Sequence, residues 1–307
     1  MNAHLKSDAS TVVDVVVVAD PEEPHCDAVL AELTSLGSSA LRYNLSDFLA
    51  TGLRLEPGAL HLHLAGEWRT LTRETSVWWY RTGNVDTDGL DPEEACLAHD
   101  EGVHLIRGAL GSASVRWIDE PFNVDRADTK PIQLNVAARL GNRVPDTLVT
   151  NDPVIAHTFA AGRRVVAKAV SPGVGITPYV DEVPDCALDM VQGLPTLLQE
   201  YVPATADLRV VVVTTRAWVW RRPRESGVID WRQIDPGGEG FELVGDVALG
   251  ERAIAMTGAL GLTMSVQDWL EIPGGPVFLE SNAQGAWLFL RGSDEIVVSA
   301  LAEHLKG

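Results

Sequence analysis

The chain has 307 residues, of which 46% are hydrophobic and 22% are charged, as in ordinary globular proteins. Its formal net charge of −19, from 24 basic and 43 acidic residues, argues against nucleic-acid binding, which relies on basic surface. No apolar run approaches the roughly 20 residues that a membrane helix needs. The cysteines, Cys26, Cys96 and Cys186, are too widely spaced for a CxxC motif, so we expect a reduced, cytoplasmic protein.

Residues 1–120 predict an α/β unit around a mostly parallel sheet, because β and α patterns alternate. The valine-rich segment 11–20 predicts a buried strand rather than a signal peptide, since polar residues precede it and no cleavage pattern follows. The other predicted elements are a helix over 24–37, a hairpin over 61–72, a strand over 75–83 and a helix over 91–112.

Residues 121–203 predict a second unit and residues 204–307 a third. The second contains a helix over 127–141, an extended segment over 144–152, a strand over 163–172 and a strand over 196–203. The third contains a strand pair over 207–222, a helix over 251–261, two strands around 264–272 and 277–282, and a helix over 295–305.

Three oxygen-bearing side chains are predicted to converge near the C-terminus. Residues two apart in a strand point to the same face, so Glu280 and Asn282 aim together, and a paired strand brings Asp268 beside them. Hard oxygen ligands suit Mg²⁺, which takes few protein carboxylates and fills its other positions with phosphate oxygens. The alternative is a solvated edge of an acidic protein.

Two lysines are candidates for binding the phosphates of ATP. Lys168 lies in the apolar segment VVAKAV, where burial of an ammonium group is costly unless it is paired. Lys130 lies at a predicted helix start and could reach the same phosphates. After Lys168, Gly173 and Gly175 would allow backbone N–H groups to approach phosphate closely. The alternative for Lys168 is an exposed edge strand.

The segment QEYVP, from Gln199 to Pro203, leaves a strand and enters an extended hinge. Its backbone groups could bind an adenine edge, while Glu200 or Asp207 could hold ribose hydroxyls. Arg209 follows Asp207 by two residues on the same strand face, and a guanidinium there could hold a γ-phosphate or an acyl phosphate in bidentate fashion. The alternative for this pair is a structural Asp–Arg contact.

The segment 216–232 carries five arginines against two acidic residues, which predicts either an anion-binding surface or a solvated hairpin. These arginines are Arg216, Arg221, Arg222, Arg224 and Arg232. Two predicted strands are rich in tryptophan. Trp78 and Trp79, or Trp218 and Trp220, could form an apolar docking surface or could pack in the core.

Together these blocks resemble the ATP-grasp superfamily, and most closely the ribosomal-peptide maturases that make graspetides, such as microviridin-type cyclases. The resemblance runs from Val77 to the end and lies in residues 129–152, residues 197–213, the DWR block at 230–232, and residues 261–290. The family pattern has a proline after the asparagine, where this chain has SNAQGAW, and the glycine loop after Lys168 is short.

The resemblance implies an α/β (α+β) ATP-grasp fold with three parts: an N-terminal pre-ATP-grasp domain at 1–120, a central lid subdomain at 121–203 and a C-terminal metal-bearing subdomain at 204–307. It implies an ADP-forming ligase that phosphorylates Asp or Glu side chains of a ribosomal precursor peptide. A Ser or Thr hydroxyl or a Lys amine then closes an ester or amide ring. The implied partners are the precursor's leader and acidic core and a second copy of the chain.

The resemblance also implies roles for individual residues. It implies ATP contacts from Lys130, Lys168, Glu200 and the backbone of Tyr201 and Val202. Asp268, Glu280 and Asn282 would bind Mg²⁺, and Arg209 and Arg232 would contact the transferred phosphate or the peptide. Two alternatives stay open: a ligase acting on free amino acids or a protein tail, and a non-catalytic nucleotide- or leader-binding protein.

Overall fold

The protein is described here from a computed structural model, in which residues 11–56, 59–171, 185–225 and 228–307 are described. The predicted loop glycines Gly173 and Gly175 lie outside these residues. The chain divides into two compact units, one of Met1–Pro121 with Asp294–Gly307 and one of Phe122–Ser293. The finer division into a lid subdomain at 121–203 and a metal-bearing subdomain stays a prediction.

The first 121 residues contain both predicted helices, and five strands lie between them. In chain order they are β1 (Thr11–Val12), β2 (Val15–Ala19), α1 (Pro24–Ser35), β3 (Ala40–Asn44), β4 (Leu53–Glu56), β5 (Ala59–Leu64), β6 (Glu67–Leu71), β7 (Ser76–Trp79), α2 (Pro92–Ser112) and β8 (Arg116–Ile118).

The remaining elements follow in the same order. They are α3 (Pro121–Ala127), α4 (Lys130–Arg139), β9 (Thr147–Thr150), α5 (Pro153–Ala160), β10 (Val165–Ala169), β11 (Thr196–Glu200), β12 (Ala206–Val213), β13 (Arg216–Pro223), β14 (Glu242–Val244), α6 (Val247–Ala259), β15 (Met264–Glu271), β16 (Val277–Asn282) and α7 (Ser293–Lys306). No helix in the described ranges is long and apolar enough to cross a membrane.

The first unit contains a four-stranded parallel sheet in the order β3-β2-β7-β8 and a second sheet in the order β1-β6-β5-β4. All five residues of β2 are buried, which is typical of a parallel strand covered on both faces. Segment 11–20 was predicted as one strand, but it is divided between the two sheets. Trp78 and Trp79 are both buried, so they pack in the core rather than form a docking surface.

The second unit contains a three-stranded antiparallel sheet in the order β10-β11-β9. On one face, Val165 and Leu198 pack with Ala156 of α5 in a small core. Because side chains alternate along a strand, the other face carries Val166 and Lys168. These residues lie opposite Gln199 and Leu197 of β11, respectively.

The second unit also contains a five-stranded antiparallel sheet in the order β14-β13-β12-β15-β16. One face packs on α6 and α4 through apolar side chains such as Val210, Trp269 and Phe278. Arg209, Asp268 and Glu280 lie on the other face, whereas Gln267 of β15 donates to the Ala253 carbonyl of α6 on the first face. A bulge between Asp268 and Trp269 adjusts the register of β15 and β16. The helix predicted over 127–141 is α4, which begins at Lys130, and a separate short helix, α3, precedes it.

Candidate active site

Three charged side chains form a row across neighbouring strands of the five-stranded sheet. Arg209 of β12 is directly opposite Asp268 of β15, and Asp268 is directly opposite Glu280 of β16. Asn282 lies two residues along β16, so its side chain is on the same face as Glu280. The sheet register thus brings together three predicted metal ligands and one predicted catalytic arginine.

Arg209 is held in a fixed orientation at one end of this row. Its Nη1 donates to Asp268 Oδ1 at 2.7 Å and its Nη2 to the carbonyl oxygen of Ala286 at 2.6 Å. The guanidinium lies 5.6 Å from the centre of the Phe289 ring. Arg209 is buried and pairs with Asp268, so the alternative pairing of Arg209 with Asp207 is wrong.

The carboxylates of this row are close enough to influence each other. Burial raises the pKa of Asp268, and the negative charge of Glu280 raises it further, whereas Arg209 and Lys168 lower it. Asn282 Nδ2 lies 3.5 Å from both Asp268 Oδ2 and Glu280 Oε1. Two carboxylates that converge on one amide form a site that favours a cation.

These residues fit Mg²⁺ by their chemistry. The oxygen and nitrogen of an amide are assigned rather than observed, and rotation of the Asn282 amide would turn its oxygen toward both carboxylates. The three ligands would then all be oxygens, as Mg²⁺ prefers. In the described part of the chain, no three or more His, Cys, Asp or Glu side chains are grouped to hold a metal ion. A metal here therefore depends on Asn282 and on oxygens of a bound substrate.

Both predicted phosphate-binding lysines face the same carboxylates. Lys130 Nζ lies 3.9 Å from Glu280 Oε2 and 3.3 Å from the carbonyl oxygen of Ser171. Burial lowers the pKa of Lys168, and the charges of Glu280 and Asp268 partly offset that effect. The two lysines, one from α4 and one from β10, thus lie beside the predicted metal ligands.

The predicted adenine hinge follows β11, and part of its backbone is already hydrogen-bonded within the protein. The Glu200 N–H donates to the Asp146 carbonyl and the Tyr201 N–H to the Arg164 carbonyl, both at 2.9 Å. Glu200 is exposed, and Val202 is half-buried. Backbone recognition of a base would therefore use Val202 N–H and hinge carbonyl groups rather than the N–H groups of Glu200 or Tyr201.

Asp207 is buried beside two arginines. Arg224 Nε lies 3.2 Å from Asp207 Oδ1, and Arg222 Nη1 lies 3.9 Å from Oδ2. Burial raises the pKa of Asp207 to about 6, the charges of Asp268 and Asp230 also raise it, and the two arginines lower it. Oδ2 is buried without a hydrogen-bond partner among the described residues, so it is an acceptor suited to a ribose hydroxyl.

Three of the five arginines in the arginine-rich segment are paired with carboxylates, so these three do not form the predicted anion-binding surface. Arg221 Nε and Nη2 donate to Glu271 at 2.9 and 2.8 Å, and Arg222 Nε donates to Asp235 at 3.0 Å. Together with the Arg224–Asp207 pair, these contacts neutralise three of the five arginines inside the fold.

Arg232 differs because 41% of its side chain is exposed. Its Nε donates to Asp230 Oδ1 at 2.8 Å and its Nη2 to Oδ2 at 2.5 Å. The hydrogen bond that Arg232 donates to Asp230 raises the pKa of Arg232, and the charges of Glu280 and Asp268 add to that effect. Arg232 is therefore a fixed, permanently charged group near the carboxylate row.

Two residues that were not predicted to belong to the site hold the metal-bearing strand in place. Gln133 Nε2 donates to the carbonyl oxygens of Ser281 at 2.5 Å and Ala127 at 2.7 Å, and its Oε1 accepts from the Ser281 N–H at 3.0 Å. Asp128 Oδ1 accepts from the Ala283 N–H at 3.0 Å. Residues on either side of Asn282 are thus fixed by side chains from the start of α4 and the turn before it.

A sequence signal for Gln133 does exist. Gln133 and Ala137 are the two buried residues of α4 and are four apart, so a polar residue occupies the apolar stripe of a helix. Asp128 has no comparable signal in the sequence. Burial raises its pKa to about 6, whereas the Ala283 N–H and the charge of Lys130 lower it.

No protein-family profile matches the chain, and no curated protein matches it. Solved structures do match nearly its whole length. The macrocyclase MdnC from Microcystis aeruginosa, bound with the precursor peptide MdnA, is 22% identical, with 96% of this chain and 99% of that chain covered and a TM-score of 0.80. A Chryseobacterium gregarium RiPP-associated ATP-grasp ligase in complex with ADP and a leader and core peptide is 19% identical, with 96% of each chain covered and a TM-score of 0.83.

A third structure, the ATP-grasp ligase PsnB complexed with a minimal precursor, Mg and ADP, is 20% identical, with 95% of this chain and 97% of that chain covered and a TM-score of 0.77. Similarity over this length shows that the chain has the ATP-grasp fold, and the fold prediction is confirmed. At these identities the similarity shows the fold alone.

Proposed function

We propose that the protein is an ADP-forming ligase that activates Asp or Glu side chains of a ribosomal precursor peptide and closes ester or amide macrocycles. The observation that carries the proposal is the in-register row of Arg209, Asp268 and Glu280, faced by Lys130 and Lys168. A row that combines converging carboxylates with fixed cations suits the mixed charge of a magnesium nucleotide better than it suits a protein surface.

The structural comparisons support the peptide substrate. MdnC was solved with its precursor, and the Chryseobacterium gregarium ligase and PsnB were solved with ADP and peptide. Arg232, which is charged and part-exposed near the carboxylate row, would contact an acidic core or the transferred phosphate. We include in the proposal a homodimer in the cytoplasm. The proposal also includes a lid subdomain at 121–203 and a metal-bearing subdomain at 204–307.

In this mechanism, the protein binds and orients and supplies no covalent nucleophile. Asp268, Glu280 and Asn282 would hold Mg²⁺, which offsets charge on the phosphates when bound. Lys130 and Lys168 would bind phosphate oxygens. Arg209, held by Asp268 and the Ala286 carbonyl, would donate to the phosphoryl group in transfer.

The chemistry proceeds in two steps. A peptide carboxylate oxygen attacks the γ-phosphorus of ATP, and ADP leaves, which gives an acyl phosphate. A Ser or Thr hydroxyl or a Lys amine then attacks the carbonyl carbon and loses a proton to solvent. The C–O bond to the former carboxylate oxygen breaks, and phosphate leaves with that oxygen and the electron pair. Each ring therefore consumes one ATP and removes one water from the peptide.

Mass spectrometry tests the proposal. The protein is incubated with Mg-ATP and an acidic peptide that contains Ser, Thr and Lys, and we expect the loss of one water per ring with formation of ADP. Glu280→Gln should abolish both, whereas Glu271→Gln, the same change at a carboxylate on β15 that pairs with Arg221, should retain them. ATP consumption with free amino acids and an unchanged peptide mass would instead indicate an amino-acid ligase.

A further inference from the structure

The Phe289 ring contacts the arginine of the carboxylate row. Phe289 is half-buried in a turn between β16 and α7, and the centre of its ring lies 5.6 Å from the Arg209 guanidinium. Nη1 and Nη2 of Arg209 each donate to the protein, whereas its buried Nε has no hydrogen-bond partner among the described residues. A planar guanidinium beside an aromatic ring can still present its N–H edge to a phosphate. The ring therefore restricts how Arg209 can turn and leaves it a donor for a ligand.

A glycine of the Arg232 segment, residues 230–241, approaches the same ring. Gly238 is buried and has a φ of +70°, a left-handed conformation that favours glycine. A Cβ atom at this position would overlap the Phe289 ring. The ring thus occupies the space that a side chain would fill, and a glycine lets the backbone of the Arg232 segment come this close to it.

Two aromatic side chains of the Arg232 segment complete the contact. The centre of the Trp231 ring lies 5.7 Å from that of Phe289 and 5.0 Å from that of Phe241. The rings of Phe241 and Phe289 are 6.3 Å apart. These separations are typical of interacting aromatic pairs. Because Trp231 directly precedes Arg232, this aromatic cluster also determines where the Arg232 side chain begins.

The turn that contains Gly238 is fixed to the five-stranded sheet. The carboxylate of Asp235 accepts from the N–H groups of Glu239 and Gly240 at 2.9 and 3.0 Å. It also accepts from Nε of Arg222, a buried residue of β13, at 3.0 Å. The Gly238 N–H donates to the Asp235 carbonyl at 3.0 Å. The sheet therefore holds the Arg232 segment against the Phe289 ring.

We propose that Phe289 is a positioning residue, which directs Arg209 toward the γ-phosphate of ATP and holds the Arg232 segment beside it. Arg209 comes from β12 and Arg232 from the segment that follows β13, and the ring is in contact with both parts of the chain. A leucine at this position would offer no aromatic face to the guanidinium and would fill less of the space beside Gly238. The inference rests on the proposed function and adds a residue that acts through Arg209.

Nucleotide binding tests the inference without a peptide. Dissociation constants for ADP and for the non-hydrolysable analogue β,γ-imido-ATP are measured by calorimetry in Mg²⁺, and their ratio reports the contact with the γ-phosphate. For the unaltered protein, we expect the analogue to bind about 10-fold or more tightly than ADP. Phe289→Leu should reduce this ratio roughly 10-fold and leave the affinity for ADP within about twofold. A purely structural role would weaken both nucleotides equally or neither.

Three further variants show whether the ring acts through Arg209. Gly238→Ala introduces a Cβ that overlaps the ring, so it should reduce the ratio as Phe289→Leu does. Gly237→Ala is the matched control and should leave the ratio unchanged, because a Cβ there meets only side-chain atoms of Glu239, at 3.7 and 3.9 Å. In an Arg209→Lys protein, Phe289→Leu should change the ratio by less than about twofold, because the group through which it acts is already lost.

The outcomes distinguish the inference from the function on which it rests. If the unaltered protein binds neither nucleotide, the proposed function is wrong. If it binds both with equal affinity, or if Phe289→Leu and Gly238→Ala leave the ratio unchanged, the role of Phe289 is refuted and the nucleotide site stands. An equal loss of affinity for both nucleotides refutes that role as well. Should Phe289→Leu fail to fold, the comparison of Gly238→Ala with Gly237→Ala decides the question.

Discussion

Gln133 is expected to fix the position of the metal-bearing strand, and Gln133→Leu removes that support with little change in volume. The side chain makes three buried hydrogen bonds, two to the backbone of Ser281 and one to the Ala127 carbonyl. Ser281 lies between Glu280 and Asn282, so its backbone sets where both of these side chains begin. The substitution should therefore affect both the stability of the fold and the geometry of the metal site.

The magnitude follows from the groups left behind. Leucine would leave three backbone groups without a partner, each at a cost of about 1–3 kcal/mol, and would recover part of this through its larger apolar surface. We expect the free energy of unfolding to fall by roughly 3 kcal/mol. This is a large part of the unfolding free energy of about 5–15 kcal/mol that is typical of whole domains. Loss of a residue that orients metal ligands typically costs about 10-fold or more in metal affinity.

Two measurements on the same protein check this prediction. Urea denaturation gives the change in the free energy of unfolding, and calorimetric titration with Mn²⁺, in the presence of a non-hydrolysable ATP analogue, gives the metal affinity. Asn135→Leu, at an exposed position of the same helix, is the control and should change stability by less than about 0.5 kcal/mol. A destabilised Gln133→Leu protein with unchanged Mn²⁺ affinity would refute the positioning role, and unchanged stability would refute the whole argument.

Three further predictions concern charged groups. Burial raises the folded-state pKa of Asp207 from 3.8 to about 6, so its contribution to stability is complete below about pH 4 and is lost as the pH rises through 6. By linkage, the free energy of unfolding of the unaltered protein should fall by about 3 kcal/mol across this pH range. Urea denaturation of Asp207→Asn over the same range should not show this fall. Lys168→Met should not lower the melting temperature, because burial disfavours the ammonium form, yet ATP affinity by calorimetry should fall roughly 10-fold or more. Arg221→Gln should cost less than about 1 kcal/mol in urea denaturation, because the side chains of Arg221 and Glu271 are 34% and 39% exposed.

The alternation of side chains was enough to predict part of the candidate site. Glu280 and Asn282 are two apart in a strand, and their common face depends on nothing outside that strand. The pairing of Asp268 with Glu280 also followed, because a short turn joins the two strands. Arg209 was harder to place, since its partner depends on the register between β12 and β15, which are about 60 residues apart along the chain. The sequence could therefore not choose between Asp207 and Asp268 as its partner.

The arginine-rich segment shows the limit of counting charges along a chain. Within 216–232 the basic residues outnumber the acidic ones, but Arg221, Arg222 and Arg224 have partners outside that window, namely Glu271, Asp235 and Asp207. Sheet formation brings these carboxylates to the arginines, and the local excess of positive charge disappears. Gln133 was missed for a similar reason, because its hydrogen bonds join α4 to a strand about 150 residues later.

The protein alone does not fully stabilise several of the polar and charged groups around the candidate site. Burial shifts the pKa of Asp268 and Asp207 upward and that of Lys168 downward, so the fold disfavours the charged form of each. Gln199 Oε1 adds a buried neutral acceptor that has no hydrogen-bond partner among the described residues. Selection for stability alone would remove such groups, since apolar or neutral side chains of similar size would fold better at these positions. Their concentration on two facing sheets of one unit is expected of a site whose missing partners are supplied by a ligand that carries phosphates, a metal ion, hydroxyls and a base.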